Sequence, residues 1–174
     1  MSRSPINGFP GSNGHGRAQP GFRPVARQSN LLVLNSRPVS RSQLESLLLE
    51  QIRAQGKPFG LLVEDIEGGF TLTGRTIPNA FNVLPLVVYR VYPDGRKELV
   101  RGEDLIGTPL TVFSKILAAD DEAAVFNGIC GAESGQVPVS ASAPAILVSQ
   151  IEVQKKAKSQ DRAPILPAPV GERR

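Results

Sequence analysis

The sequence predicts an α+β domain built mainly from antiparallel and mixed β-sheet, with two short helices. Apolar residues recur at helical spacing in only two stretches, about residues 41–55 and 109–119. Apolar and β-branched runs of strand length occupy much of the chain between them and after them. A Pro-Asp-Gly turn at residues 93–95 separates two such runs, so strands next to each other in sequence are expected to pair.

Three segments are predicted. Residues 1–30 contain five glycines and four prolines without a hydrophobic period, which indicates an extended arm. Residues 31–154 form the folded domain. Residues 155–174 have several prolines and no period, so we expect a disordered tail, or at most a docking strand.

The first helix is predicted over residues 41–55. Ser40 with Gln43, or Ser42 with Glu45, can form a capping box in which each side chain binds a free backbone amide of the first turn. A glycine and a proline follow the helix and end it. The apolar face that is expected to cover a sheet consists of Leu44, Leu47, Leu48 and Ile52.

The second helix is predicted to begin at Pro109, with Thr108 as its cap, and to end before an exposed acidic loop at residues 120–122. Gly68 and Gly69 allow a turn or a bulge between two of the predicted strands. The strands are predicted over residues 31–34, 59–65, 70–73, 86–92, 97–100 and 145–153.

The charge is distributed unevenly. Residues 1–57 carry eight Arg or Lys and two acids, and residues 155–174 carry six and two, whereas residues 58–154 carry six and twelve. The arginines of the first segment stand singly among Gly and Pro, without a basic cluster, and the chain has no Trp. Nucleic acid is therefore not the expected partner. A basic arm that docks on an acidic surface explains the same asymmetry.

No run approaches the ~20 apolar residues of a membrane span, and no signal-peptide core begins the sequence. One cysteine cannot form an internal disulfide. We expect a cytoplasmic protein without a membrane partner.

Two sets of residues are candidates for chemistry. Glu64 and Asp65 end a predicted strand, but adjacent strand residues point to opposite faces, so shared acid–base catalysis is disfavoured. Solvation, pairing with an arginine such as Arg75, or a role in a groove that binds peptide backbone or amines are the alternatives. Cys130 is followed by Gly131 in a glycine-rich stretch, where a thiolate suits a metal. The alternative is that Cys130 is a small buried apolar residue.

Several short segments, in order, resemble the C-terminal domain of the TldD/PmbA family of zinc metallopeptidases. No single one is specific, but the ordered set spans about residues 3–155. The segments are Ser12-Asn-Gly-His-Gly-Arg17, Pro24-Val-Ala-Arg27-Gln-Ser-Asn30, Gly60-Leu-Leu-Val-Glu-Asp65 with Gly68-Gly-Phe70, Asp104-Leu-Ile-Gly107-Thr-Pro109, Ile129-Cys130-Gly131 and Val137-Pro-Val139.

The resemblance implies a curved, barrel-like β domain and a zinc ion held by two histidines of a His-Glu-x-x-x-His helix, with Cys130 similar in position to a third ligand. That motif does not occur in these 174 residues, which contain one histidine. The resemblance of Ser12 through Arg17 implies a segment that crosses the body of the domain, and a start at Met1 in the middle of that segment indicates a truncated chain. Cys130, Gly131, Glu64 and Asp65 are the candidate groove residues.

The resemblance therefore implies the C-terminal part of a peptidase that hydrolyses peptides with zinc, inactive as an isolated chain. We expect no zinc to be bound by this chain alone. The alternative is a non-catalytic scaffold or partner subunit that forms a homo- or heterodimer with a full-length relative. A nucleic-acid-associated protein is a third possibility.

Overall fold

The computed structural model describes residues 14–72 and 79–156 of the chain. Strands dominate these residues and two helices accompany them, so the predicted α+β class is confirmed. In chain order the elements are β1 (Gly16–Arg17), β2 (Val25–Ala26), β3 (Asn30–Leu32), α1 (Arg41–Ala54), β4 (Gly60–Leu72), β5 (Ala80–Val91), β6 (Lys97–Val100), β7 (Glu103–Gly107), α2 (Pro109–Phe113), β8 (Ile116–Ala132), β9 (Gly135–Val148) and β10 (Glu152–Lys155).

The strands form three sheets. β1 and β2 pair as a small antiparallel ribbon. β10, β7, β5 and β4 lie side by side in this order, and β6 also pairs with β5. β3, β9 and β8 make the third sheet, in which β3 runs parallel to β9 and β8 runs antiparallel to it. Within the described residues neither larger sheet closes into a barrel, because each one ends in an edge strand on both sides.

Helix α1 joins the two larger sheets, since it lies against β8, β9 and β4. It begins as predicted: the Ser40 hydroxyl accepts a hydrogen bond from the Gln43 backbone N–H at 3.2 Å, and the Gln43 side chain accepts one from the Ser40 N–H at 2.9 Å. Leu44 and Ile52 are its buried residues. The other buried apolar residues of the described chain are Val88, Val91, Ala119, Val137 and Leu147.

The strands predicted over residues 59–65 and 70–73 are one continuous strand, β4. It pairs with β5 along its length, with register shifts between Val63 and Gly68. Of the two alternatives for this stretch, the bulge is therefore correct, and bulges bend a strand and increase its twist. Residue 73 lies outside the described residues.

The hairpin predicted at residues 93–95 is confirmed. β5 and β6 pair antiparallel, from Val91 opposite Lys97 to Val88 opposite Val100. Gly95 has a φ of +87°, a conformation that a turn residue with a side chain rarely adopts.

The second helix is shorter than predicted. Helical structure ends at Phe113, and Ile116 already pairs with Val148 across β8 and β9. The prediction of helix as far as residue 119 is therefore wrong in its second half. Helical spacing is a weak local preference, and the hydrogen-bonded ladder with β9 outweighs it. Thr108 precedes the helix as its N-cap without a side-chain capping bond.

The acidic loop predicted at residues 120–122 is a strand segment, and its first residue is buried. Asp120 is 3% exposed. It lies in β8 between Ala119 and Ala123, where the register with β9 is irregular. The prediction of an exposed loop is wrong because Asp120 has partners far along the chain, Arg41 and Ala145. Asp121 and Glu122 are exposed, as the prediction had them.

Strands of the described chain extend beyond both predicted boundaries of the folded domain, residues 31 and 154. The arm folds into the β1–β2 ribbon, and Arg27 within it is 4% exposed. β10 extends through Lys155, and the Lys156 N–H donates to the Gly102 carbonyl at 2.7 Å. The rest of the predicted arm, residues 1–13, and of the predicted tail, residues 157–174, lie outside the described residues.

Neither helix within the described ranges, residues 14–72 and 79–156, is long and apolar enough to cross a membrane.

Candidate functional site

The cysteine lies near the tip of the long β8–β9 hairpin. Cys130 is on β8 opposite Val137 on β9, and the strands join through a tight turn between Ala132 and Gly135. The Cys130 side chain is half-buried and in the free thiol form. The stretch that the sequence shows as glycine-rich is thus regular sheet up to the turn, rather than an irregular loop.

The β1–β2 arm docks on this tip through one buried arginine. The Arg27 guanidinium donates to the Ser134 hydroxyl at 2.7 Å and to the Gly135 carbonyl at 3.0 Å through Nη1. Its Nη2 donates to the Cys130 carbonyl. Arg27 is 4% exposed and Ser134 is fully buried. A single side chain from the arm therefore binds both strands of the hairpin and the turn that joins them.

A second arm residue closes over the same turn. The Gln19 backbone N–H donates to the Ser134 carbonyl at 3.0 Å, and the Gln19 side-chain oxygen accepts from the Gln136 N–H at 3.1 Å. A Cβ placed on Gly135 would lie 2.7 Å from the Gln19 Cβ. The arm and the turn are in such close approach that residue 135 has no room for a side chain.

Among the described residues, the buried charge of Arg27 is in no ion pair. The ion pairs of residues 14–72 and 79–156 are Arg41–Asp120, Arg90–Glu103, Lys97–Glu45 and Lys156–Asp104, and Arg27 is in none of them. A buried charge is costly unless hydrogen bonds compensate for the lost water. Three oxygen acceptors, two of them carbonyls, do so here.

The structure does not bring Glu64 and Asp65 to the cysteine. They lie on β4 in the five-stranded sheet, whereas Cys130 lies in the three-stranded sheet. Glu64 is the extra residue of a bulge between the pairs that Val63 and Asp65 make with β5. Both carboxylates are exposed, and the Asp65 Oδ1 accepts from the Ile66 N–H at 2.9 Å. Arg75, the proposed partner, lies outside the described residues.

Of the other candidate groove residues, Gly131 lies beside Cys130 on β8. It pairs with Gln136, is exposed, and has open space where a Cβ would point. Backbone at this position is accessible from solvent, as a groove residue requires.

Metal ligands do not converge in the described part of the chain, where no group of three or more His, Cys, Asp or Glu side chains could hold an ion. The backbone of His15 is tied to the arm, since its carbonyl accepts from the Arg27 N–H at 2.8 Å. A catalytic zinc requires three protein ligands. The described residues therefore do not by themselves fit a zinc ion.

A second polar cluster lies where β8 is irregular. The Asp120 Oδ2 is 3.2 Å from the Arg41 Nη1, and its Oδ1 accepts from the Ala145 N–H at 2.9 Å. A cavity of about 180 Å³ opens beside it, with Glu122 and Ala123 in its wall. The cluster ties α1 to the β8–β9 hairpin, ten residues along β8 from Cys130.

Arg27, Gln19, Ser134 and Asp120 are the residues that sequence reasoning missed. Arg27 lies in one of the segments that resemble the metallopeptidase family, and it is the one charged residue of that segment, residues 24–30. That position was the available signal for it. Gln19 and Ser134 gave none, because their contacts join residues more than 100 positions apart.

Comparison with known proteins finds no family model that matches this chain and no curated protein that matches it.

The thiol of Cys130 is expected to be reactive in the folded protein. Because the side chain is half-buried and Gly131 beside it adds no side chain, a thiol reagent should reach the sulfur without unfolding. For the same reason Cys130→Ser should lower the free energy of unfolding by less than about 1 kcal/mol. Alkylation kinetics under native conditions and chemical denaturation measure the two quantities. Slow alkylation together with a loss of about 1–3 kcal/mol would make Cys130 a buried structural residue.

Proposed function

We propose that this chain is the C-terminal part of a TldD/PmbA-type zinc metallopeptidase of the cytoplasm, which acts on peptides only when the zinc-binding histidines are supplied from outside these 174 residues. The observation that carries the proposal is the contact between two resembling segments. Residues 24–30 and 129–131 are about 100 positions apart in sequence, and Arg27 of the first binds the Cys130 carbonyl of the second. Two segments that resemble the family and are distant in sequence are thus in contact in the fold.

Within that proposal the chain has a limited set of tasks. It holds Cys130 at the tip of a hairpin, with Gly131 accessible beside it. It contains one histidine and no His-Glu-x-x-x-His motif, and its described residues do not fit a zinc ion. We therefore assign no step of peptide hydrolysis to these residues. The exposed carboxylates Glu64 and Asp65 lie in another sheet and have no catalytic role in this proposal.

The proposal is tested by restoring the absent part. The isolated chain with added zinc should hydrolyse no peptide, because one cysteine and one histidine cannot complete the ligand set. A chimaera that joins the histidine-helix portion of a TldD/PmbA peptidase to this chain should hydrolyse peptides, and a chelator should abolish the activity. Turnover of a defined peptide mixture, followed by mass spectrometry, is the measurement.

The matched control is the same chimaera with Cys130→Ala. Its activity should fall by about 100-fold or more if the thiolate is a zinc ligand, since loss of a ligand removes the metal or its geometry. A folded chimaera without activity would contradict the proposal. Full activity in the Cys130→Ala chimaera would contradict the ligand role of Cys130. The proposal that the chain is part of a peptidase would still stand.

A second candidate function, a non-catalytic partner subunit, is favoured by an exposed apolar face of the three-stranded sheet. Val125 on β8 and Leu32 on β3 lie in one row across the sheet, because both pair with Ser142 of β9. Ile129 is four residues along from Val125 on the same face. Val125 is 63% exposed, Leu32 is 64% exposed and Ile129 is 70% exposed. Two results together would favour this function over the first. The chimaera would be inactive, and the isolated chain would dimerise in sedimentation experiments.

A further inference from the structure

We propose that Arg27 is a positioning residue for Cys130: its buried guanidinium holds the backbone on either side of the hairpin turn and thereby sets the direction and accessibility of the thiol. The proposal rests on the proposed function only for what the thiol does, namely ligate zinc in the complete enzyme. The positioning itself is a property of this chain and can be measured without zinc or peptide.

The three acceptors of Arg27 are distributed in a way that packing alone does not require. The Cys130 carbonyl precedes the turn, the Ser134 hydroxyl is within it, and the Gly135 carbonyl follows it. The guanidinium is planar and presents its N–H groups in a fixed fork, so binding all three at once fixes the strands relative to each other. Hydrogen bonds from a charged donor are also stronger than neutral ones.

The held carbonyl is that of the cysteine itself. Cys130 also pairs with Val137, which is 3% exposed. The pairing with β9 and the hydrogen bond from Arg27 therefore both restrain the peptide group that follows the cysteine Cα. With the backbone restrained in this way, the thiol has only rotation about its own side-chain bond to change direction.

The arm in turn is fixed so that Arg27 stays in place. The Arg27 N–H donates to the His15 carbonyl at 2.8 Å, and Gln19 binds Ser134 in the turn and Gln136 after it. An apolar residue at position 27 would fill the same space without burying a charge. We infer that the charged fork is present because of the carbonyls that it binds.

The test uses the full chain and replaces Arg27 with glutamine. Because the chain has one cysteine, labelling cysteine with ¹³C at the carbonyl gives one isotope-shifted amide band, which reports the hydrogen bond to the Cys130 carbonyl. In Arg27→Gln this band should move to higher frequency as the charged donor is lost. Alkylation of Cys130 under native conditions should become about tenfold faster, because the substitution removes the restraint that Arg27 places on the cysteine backbone. That restraint is strong because a hydrogen bond from a charged donor stabilises by more than a neutral one.

The matched control is Arg17→Gln. Arg17 is in the same ribbon and donates to the Gln28 carbonyl at 3.3 Å, a contact within the arm. It should leave the band and the alkylation rate unchanged. Arg27→Lys keeps the charge but replaces the fork with one nitrogen, so both quantities should fall between those of the wild type and Arg27→Gln.

An unchanged band in Arg27→Gln overturns the proposal. A shifted band with an unchanged alkylation rate also overturns it, because the arginine would then bind the carbonyl without setting the thiol. If Arg27→Gln does not fold, Arg27→Lys decides, and wild-type values of both quantities there overturn the proposal. None of these measurements depends on peptidase activity, so an inactive chimaera and an unchanged Arg27→Gln variant are distinguishable failures.

Discussion

Replacing Asp120 with alanine is expected to lower the free energy of unfolding by about 3 kcal/mol, because a buried acceptor of two hydrogen bonds is lost. The Asp120 carboxylate is 3% exposed and binds Arg41 from α1 and the Ala145 N–H from β9. Without it the Ala145 N–H has no acceptor at a bulge where the β8–β9 ladder is already interrupted. Arg41 is 41% exposed and can turn to water, which limits the loss. Denaturant titration measures the change.

Asp121→Ala is the matched control. Asp121 has the same charge and the next position in β8, but it is exposed. Its replacement should change the free energy of unfolding by less than about 0.5 kcal/mol, as surface substitutions usually do. Equal effects of the two substitutions would show that the strand tolerates loss of the buried carboxylate, and that Asp120 does not tie the helix to the hairpin.

Local sequence signals predicted the parts of the fold that local interactions make. Helix α1 is an example, since its capping box joins Ser40 to a residue three positions away. The β5–β6 hairpin is another, because its turn residues lie between the two strands that pair. In both places the residues that decide the structure are next to one another in the sequence.

The errors arose where long-range pairing decides. The stretch from Ile116 to residue 119 has helical spacing, yet it pairs with β9, which is about 30 positions away. Asp120 is the first residue of the loop expected to be exposed, but it is buried, and its partner Arg41 lies 79 positions away along the chain. A pattern read in one window contains no information about such partners.

The candidate site shows the same division. Cys130 and Gly131 could be singled out by residue type and by the resemblance. Glu64 and Asp65 were grouped with them as groove residues, and they lie in a different sheet from Cys130, so the shared groove stays a prediction. The residue that contacts the cysteine backbone, Arg27, is 103 positions away. The resemblance drew attention to both segments, residues 24–30 and 129–131, but it did not predict the contact between them.

Gly69, next to the bulge in β4, should be the exposed residue of the five-stranded sheet that tolerates substitution least. A Cβ added to Gly69 would lie 2.3 Å from the Asn82 carbonyl oxygen and 3.1 Å from the Val83 Cα, both on the neighbouring strand β5. These atoms are backbone, so the clash is relieved only by moving β4 and β5 apart. Gly69→Ala should therefore lower the free energy of unfolding by about 3 kcal/mol, at the upper end of overpacking effects.

Gly131→Ala provides the matched control for Gly69→Ala. Gly131 is also an exposed strand glycine, but a Cβ there meets nothing within 4 Å. Because alanine reduces the freedom of the unfolded chain, Gly131→Ala should leave stability unchanged or raise it by up to about 1 kcal/mol. Thermal and denaturant unfolding of both variants measure the difference. If Gly69→Ala proves as stable as Gly131→Ala, β4 and β5 are not as close at Gly69 as the structure places them, and the bulged register of that strand pair is wrong.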